Sequence, residues 1–116
     1  MKTVLEVLKD AKNLISDPNK WIKDCWAVDE KGVQLDSWDE KACKWCAVGA
    51  LNRSAYVKDG TKTINMTARE VLNECIPKST KWDGVLGYND ARETTHEDIM
   101  KLFDKAIENA ENKSGQ

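Results

Sequence analysis

Residues 42–51 read Ala-Cys-Lys-Trp-Cys-Ala-Val-Gly-Ala-Leu and form the densest apolar stretch of the chain. Lys44 is the one charged residue in this stretch. A helix that is apolar on nearly every face lies in the centre of a domain, where other helices cover it. The sequence therefore predicts a central buried helix over about residues 38–56, in which Gly49 and Ala50 allow a neighbouring helix to approach closely.

Three more helices are predicted around this segment, because apolar residues recur there at helical spacing. They cover about residues 4–15, 68–76 and 96–110. Each of the four helices follows a Ser or Thr with a Glu three positions later, which is the capping-box pattern of a helix start. The boxes are Thr3–Glu6, Ser37–Glu40, Thr67–Glu70 and Thr94–Glu97, and Thr95–Asp98 is a weaker neighbour of the last.

A small β-hairpin is predicted ahead of the central helix. Apolar residues alternate at positions 26, 28, 33 and 35, and Gly32 supplies the left-handed backbone that a tight turn needs. Asp17 followed by Pro18 predicts a short helix to about residue 24, and residues 77–94 are predicted to be irregular.

The predicted fold is mainly α, of the α+β class: a compact four-helix domain with a central buried helix and one small β-hairpin. It is expected to occupy residues 1–111 as a single globular domain, with a flexible tail at residues 112–116.

The composition excludes several classes of protein. A chain of 116 residues with 41% hydrophobic and 33% charged residues has the make-up of one globular domain. Its densest apolar stretch has ten residues, against the ~20 that span a bilayer. Charged residues interrupt the apolar ones at the amino terminus, so we expect no secretory signal, a cytoplasmic protein and no membrane contact.

The charge is uneven along the chain. Residues 1–40 carry a net charge of −3, residues 41–81 carry +5 and residues 82–116 carry −4, which gives −2 for the whole chain. We interpret the basic middle segment as the part that the acidic ends neutralise in the folded chain. The alternative, contact with RNA or DNA, is less favoured because nucleic-acid-binding domains usually carry an overall basic excess. That contact would use Lys58, Lys62, Arg69, Lys78 and Lys81.

Cys43 and Cys46 form a Cys-x-x-Cys pair that the predicted helix would place on one face. Thiol–disulfide enzymes place the reactive cysteine at a helix amino terminus, whereas the predicted helix start leaves Cys43 past the first turn. Both cysteines have apolar neighbours, so we interpret them as core residues. Zinc would need two further ligands from scattered positions, and no metal or cofactor is predicted. Those positions are Cys25, Cys75 and His96.

Polar residues gather before the last predicted helix. Asn89, Asp90, Arg92, Thr95 and His96 fall within eight positions, and a helix amino terminus offers free amides to an anion. A catalytic interpretation pairs His96, the only histidine, as acid or base with Asp90. The alternative is ordinary turn and capping chemistry. Because no nucleophile motif or phosphate loop accompanies the cluster, we predict no catalytic residue.

Five tryptophans are many for so short a chain. Trp21, Trp26 and Trp45 are predicted to fill the core. Trp82 lies in a polar, irregular stretch and is predicted to be the most exposed. Because tryptophan is enriched at binding hot spots, we expect Trp82 and Tyr88 to border a recognition surface.

Several motifs together resemble a family of small, functionally uncharacterised domains found in bacteria and their phages. The matching motifs are Trp45-Cys46-Ala47-Val48-Gly49-Ala50-Leu51, Tyr88-Asn89-Asp90, Arg92, Thr94-Thr95-His96 and Leu102-Phe103-Asp104-Lys105-Ala106-Ile107. The family is also similar in an opening helix and in a Trp near position 21. The resemblance spans most of the chain and implies a shared fold and a bacterial or phage origin, without a known activity. Tyr88 stands where Trp is more usual in the family.

The sequence thus predicts a non-enzymatic binding module that contacts another macromolecule, most simply a protein, in a bacterial or phage-infected cell. The predicted binding residues are Trp82, Tyr88, Asn89, Asp90, Arg92, Thr95 and His96. The alternative is a small-ligand or hydrolytic site around Asn89, Asp90, Arg92 and His96.

Overall fold

Five α-helices and a two-stranded antiparallel sheet make up the computed structural model, which describes residues 3–55 and 62–114. The helices are α1 (Val4–Leu14), α2 (Ala47–Ala55), α3 (Lys62–Cys75), α4 (Val85–Asp90) and α5 (His96–Ser114). A short 3₁₀ helix spans Pro18–Lys20, and the strands are β1 (Ala27–Val28) and β2 (Lys44–Trp45). The predicted mainly helical fold is confirmed. The described residues form five helices rather than four, and the small antiparallel sheet pairs β1 with β2 instead of the second strand of the predicted hairpin.

The first helix begins where its capping box predicts. Thr3 Oγ1 accepts a hydrogen bond from the Glu6 amide (3.1 Å), and Glu6 Oε1 accepts one from the Thr3 amide (3.2 Å). The apolar stripe of α1 then faces inward, with Val7, Leu8 and Ala11 fully buried. The predicted helix is therefore confirmed to within one residue.

The last helix, α5, uses the weaker of its two candidate capping boxes. The Thr95 amide donates to Asp98 Oδ2 (2.9 Å), and the Asp98 amide donates to Thr95 Oγ1 (3.2 Å). Thr94, the cap that the sequence favours, is instead buried in the preceding turn, where its amide donates to the Ala91 carbonyl. The helix continues to Ser114, past its predicted end at residue 110.

The central helix is shorter than predicted, because residues 38–46 are not helical. Residues 44–45 form β2, which pairs with β1 so that Ala27 lies opposite Trp45. The Cys43 amide donates to the Val28 carbonyl (2.8 Å) and extends this pairing. A neighbouring strand thus satisfies the backbone of this apolar stretch, in place of the helix that its side chains suggest. The predicted end at residue 56 lies outside the described residues.

The capping box predicted at Ser37 and Glu40 is wrong for the same reason. Ser37 is buried at 2% exposure beside α2, not at a helix start. Asp39 instead stabilises a local turn, in which its Oδ1 accepts from the Lys41 amide (2.8 Å).

The close approach predicted at Gly49 exists, but the neighbour is the backbone of Trp26, just before β1, and not a helix. A methyl group at this position would lie 2.0 Å from the Trp26 carbonyl oxygen and 3.4 Å from Ser37 Oγ. Glycine therefore allows the chain around residues 26 and 37 to lie directly on α2.

The predicted hairpin is correct in its turn and incomplete in its pairing. Gly32 has the expected left-handed backbone, with φ +83, and the Asp29 amide donates to the Val33 carbonyl (3.0 Å). Val28 and Gln34 form only an isolated bridge. The regular partner of β1 is β2, which the sequence places in a helix.

The helix predicted over about residues 68–76 is present as α3 but starts earlier, and α4 is a helix that was not predicted. α3 begins at Lys62, so Thr67 lies inside a helix and the capping box predicted there is wrong. α4 forms within the stretch predicted to be irregular. Its start has Gly84 instead of a side-chain cap, and Asn73 Oδ1 on α3 accepts from the Val85 amide (2.8 Å). A tertiary contact thus replaces a local cap.

α2 occupies the centre of the fold, as predicted. Residues 47–51 are all buried, and α1, α3 and α4 pack around α2, while α5 packs on α1 and α3. Leu8, Leu51 and Phe103 are among the fully buried side chains. Burial of side chains of this size stabilises a fold by about 1.5–3 kcal/mol each.

Candidate functional site

Asn89, near the end of α4, is fully buried and makes four hydrogen bonds. Its Oδ1 accepts from Trp21 Nε1 (2.7 Å) and from the Ala47 amide (3.0 Å). Its Nδ2 donates to the Ile22 carbonyl (3.2 Å) and to Asp90 Oδ1 (2.9 Å). A side-chain amide has two donor hydrogens and two acceptor lone pairs, so the capacity of Asn89 is filled within the protein.

This side chain explains how α2 starts without a Ser or Thr cap. Asn89 binds the Ala47 amide, and Cys46 Sγ accepts from the Gly49 amide (3.2 Å). A helix start leaves about four amides without helical partners. Two of them are thus satisfied by Asn89 and Cys46.

Asp90 and Lys23 fasten the segment after the 3₁₀ helix to the end of α4. Asp90 Oδ1 accepts from the Asp24 amide (2.8 Å), and Asp24 has a left-handed φ of 71, which is uncommon for a residue other than glycine. Lys23 Nζ donates to the Ala91 carbonyl (2.5 Å), just past the end of α4. A cation is favourable at a helix carboxyl terminus.

His96 joins the start of α5 to the end of α1. Its Nε2 lies 2.7 Å from the Ile15 carbonyl oxygen, and because that oxygen can only accept, Nε2 is the donor. The imidazole ring lies 5.9 Å from the Trp21 ring, between centroids. The histidine thus has a structural contact of its own.

The structure turns two of the predicted binding residues inward. Asn89 is 0% exposed and Tyr88 is 6% exposed. The remaining five members are exposed or half-buried: Trp82, Asp90, Arg92, Thr95 and His96. The alternative hydrolytic site would have to use side chains of Asn89, Asp90 and His96 that already bind other parts of the fold.

Trp82 differs from its prediction, because it is half-buried and two other tryptophans are more exposed. Its ring packs on α4, where a methyl group at Gly87 would lie 2.8 Å from Trp82 Cε3. Lys81 Nζ lies 4.9 Å from the ring centroid. The indole Nε1 of Trp82 is buried without a hydrogen-bond partner in the part of the chain that the structure describes.

The exposed tryptophans are Trp26, at 43%, and Trp38, at 47%. The prediction that Trp26 fills the core is therefore wrong. The Trp26 carbonyl and the Ser37 hydroxyl both lie over Gly49, so the backbone segments that carry Trp26 and Trp38 pass close to each other. We call these two residues the tryptophan face.

The backbone under Trp38 is held from both sides. The Ser37 carbonyl accepts from Trp45 Nε1 (2.9 Å), and the Asp39 carbonyl accepts from Arg53 Nη1 (2.8 Å). The Arg53 guanidinium also lies 5.8 Å from the centroid of the Trp45 ring, a distance at which a cation is attracted to the face of an indole. β2 and α2 thus fix the chain on either side of Trp38.

A family model described as a family of unknown function, DUF6197, matches residues 1–109. The chain belongs to DUF6197. The match includes every described element except the end of α5, so the family's sequence pattern spans the hydrogen-bonded cluster around Asn89 as well as the tryptophan face. Comparison with curated proteins found no match, and comparison with solved structures found none either.

The two cysteines of the Cys-x-x-Cys pair do not share a helix in this DUF6197 chain. Cys43 precedes β2, whereas Cys46 is buried immediately before α2. Burial raises the pKa of the Cys46 thiol to about 11, and the hydrogen bonds from the Gly49 and Val48 amides offset this only in part. Desolvation therefore outweighs the helix start, which by itself favours a thiolate. Cys46 is protonated at neutral pH and is poorly suited to nucleophilic chemistry.

Burial also raises the pKa of two other ionisable groups, the Cys25 thiol and the Tyr88 hydroxyl. Beyond burial, the carboxylates of Asp24 and Asp90 raise the pKa of the Cys25 thiol further, and Asp98 does the same for the pKa of the Tyr88 hydroxyl. These shifts favour the neutral forms, which are the less nucleophilic ones.

Within residues 3–55 and 62–114, no group of three or more His, Cys, Asp or Glu side chains is arranged to hold a metal ion. None of the described helices combines the length and the apolar character of a membrane span.

Sequence reasoning missed the tryptophan face and the role of Arg53. One signal was present for Trp38, which stands among Asp36, Ser37, Asp39 and Glu40. A tryptophan with polar neighbours on both sides is a candidate for exposure. The capping-box pattern at Ser37 concealed this signal, because it placed the same residues at the start of a helix.

Proposed function

We propose that this DUF6197 protein is a non-enzymatic binding module that contacts another protein through the tryptophan face, in the cytoplasm of a bacterial or phage-infected cell. The observation that supports it is the exposure of Trp26 and Trp38, 43% and 47%, on a backbone that is already fixed. Tryptophan is enriched among the few interface residues that contribute most to binding. A fixed backbone lowers the entropic cost of association, since less of the chain has to be ordered.

The other polar groups favour binding over catalysis as the function of this fold. Asn89 uses all of its hydrogen-bonding capacity inside the protein, and His96 binds the Ile15 carbonyl. The pKa of the Cys46 thiol lies far above neutral pH. A general acid or base is most effective with a pKa near the working pH, and a nucleophile with a lowered one.

The proposal is tested with the tagged protein in a lysate of the organism that encodes it. We expect the wild type to retain a defined protein in near-stoichiometric amount. The Trp26→Ala/Trp38→Ala variant should retain at least about tenfold less, because each hot-spot residue contributes roughly 2 kcal/mol or more. Thermal unfolding of the variant shows whether its fold is kept.

The matched control is Trp82→Phe, which changes a tryptophan that packs on α4 and should leave capture unchanged. The proposal is wrong if the double variant retains the same proteins as the wild type. It is equally wrong if every protein that the wild type captures is captured by the double variant as well, or if the wild type captures none.

A further inference from the structure

We infer that the protein partner presents a basic segment, rich in arginine and lysine, to the tryptophan face. This inference rests on the proposed function and adds the chemistry of the partner. Its basis is that the two exposed tryptophans, Trp26 and Trp38, lie in a strongly acidic segment of the chain, residues 24–40.

The charge of this part of the chain is strongly negative. Residues 24–40 carry six acidic side chains and one basic side chain, Lys31, for a net charge of −5. With Lys41 and Lys44 included, residues 24–44 still carry −3, while the whole chain carries −2. The net negative charge of residues 24–44 is therefore at least as large as that of the whole chain, and this segment contains both Trp26 and Trp38.

Within residues 3–55 and 62–114, two of the six carboxylates accept hydrogen bonds that shape the chain. Asp29 Oδ1 accepts from the amides of Lys31 (2.8 Å) and Val33 (2.9 Å), and Asp39 Oδ1 accepts from the Lys41 amide (2.8 Å). These bonds shape the turns on either side of the face. The other four acidic residues are exposed: Asp24, Glu30, Asp36 and Glu40. Their carboxylates are accessible to a partner.

A cleft of about 460 Å³ separates the hairpin turn from residues 40–43. Glu30 lines it from the turn and Glu40 from the other side, together with Lys31 and Lys41. Glu40 stands two residues after Trp38, so the cleft opens close to the tryptophan face. The carboxylates of Asp29, Glu30 and Glu40 outnumber the two lysines in the lining, so an arginine or lysine side chain that enters the cleft meets an excess of negative charge.

Basic side chains suit this surface in two ways. A guanidinium stacks on an indole ring and binds a carboxylate with two parallel hydrogen bonds. The described part of this chain already contains cation–indole pairs: Lys23 on Trp21 (5.6 Å), Arg53 on Trp45 (5.8 Å) and Lys81 on Trp82 (4.9 Å). RNA and DNA are disfavoured as partners here, because their phosphates would meet an acidic surface.

The inference is tested with three probes and the complete chain. Two synthetic peptides have equal length and apolar content, one with Arg and Lys and the other with Glu at the charged positions. The third probe is a single-stranded DNA oligonucleotide. Binding is followed through the NMR signals of the indole N–H groups, assigned with the single variants Trp26→Phe and Trp38→Phe.

We expect the basic peptide alone to shift the signals of Trp26 and Trp38, with an affinity that falls as salt is added. The variant Asp36→Asn/Glu40→Gln should weaken this binding by about tenfold. The matched control Glu93→Gln/Glu108→Gln removes the same charge from two exposed residues elsewhere in the chain and should leave the affinity unchanged.

The inference is overturned if the basic peptide shifts neither signal, or if the acidic peptide or the oligonucleotide shifts both as strongly. It is also overturned if a captured partner depends on Trp26 and Trp38 but not on Asp36 and Glu40, an outcome that leaves the proposed function intact. Capture that does not depend on the tryptophans refutes the proposed function itself.

Discussion

Trp21 and Asn89 are joined by a 2.7 Å hydrogen bond from the indole Nε1 to the side-chain Oδ1, although 68 positions separate them in the chain. The same oxygen also accepts from the Ala47 amide at the start of α2. Asn89 thus connects three distant parts of the sequence at one buried point. The cluster that the sequence suggests as a ligand site is, in the structure, the point where α2, α4 and the segment after the 3₁₀ helix are held together.

Replacing Asn89 with alanine tests this role. Asn89→Ala leaves Trp21 Nε1, the Ala47 amide and the Ile22 carbonyl without their partner, and a buried unsatisfied polar group costs about 1–3 kcal/mol. We expect the free energy of unfolding to fall by about 3 kcal/mol or more in urea titrations followed by circular dichroism. Arg92→Ala changes an exposed neighbour and should cost no more than about 0.5 kcal/mol. Equal losses for the two variants would contradict the structural role of Asn89.

Gly49 provides a test of the contact between α2 and the chain beneath the tryptophan face. In Gly49→Ala the new methyl group would lie 2.0 Å from the Trp26 carbonyl oxygen, so the backbone has to move. Overpacking of this kind costs about 1–3 kcal/mol, and thermal unfolding should detect it as a lower Tm. The control is Gly84→Ala, since a methyl group there meets nothing within 4 Å. A Gly49→Ala variant as stable as the control would show that the two segments are not in contact.

The Cys46 thiol predicts a loss of stability at alkaline pH. Its pKa is about 11 in the folded chain, against a usual value of 9.0. Well below pH 9 the thiol is protonated in both states and contributes no pH dependence. Between pH 9 and 11 only the unfolded chain loses the proton, so the free energy of unfolding falls as pH rises, by roughly 2–3 kcal/mol in all.

Cys46→Ser separates this effect from the titration of other groups, because serine does not ionise in this range and its hydroxyl can still accept from the Gly49 amide. The measurement is the free energy of unfolding in urea at several pH values for both proteins. We expect the wild type to lose more stability than Cys46→Ser between pH 9 and 11. Parallel curves for the two proteins would be inconsistent with a buried, protonated thiol.

Local sequence signals correctly predicted those elements whose capping residues and apolar stripe both lie in one short stretch of the chain. α1 has both its capping box and its apolar stripe within residues 3–15, and it forms as predicted. The turn at Gly32 also depends on its own residues. The start of α5 at His96 was predicted correctly, and only its capping residue differs by one position, since Thr94 and Thr95 offer almost the same local cap and Thr94 is buried.

Elements that depend on distant partners were predicted less well. Residues 38–46 have the apolar pattern of a helix, but β1 offers their backbone a strand partner, and Arg53 and Trp45 bind the carbonyls at positions 39 and 37. α4 starts at a glycine, and its cap comes from Asn73 on α3. No window of local sequence contains these contacts.

Hydrophobic periodicity and capping depend on residues close together along the chain, so the amino-acid sequence alone specifies a mainly helical domain with a buried middle. Contacts between distant segments decide which polar and aromatic side chains face solvent. Asn89 is buried because three distant groups need its hydrogen bonds, and Trp38 is exposed because the carbonyls on either side of it are bound beneath the surface. Exposure depends on which segments meet in space, and the residue types alone do not specify that.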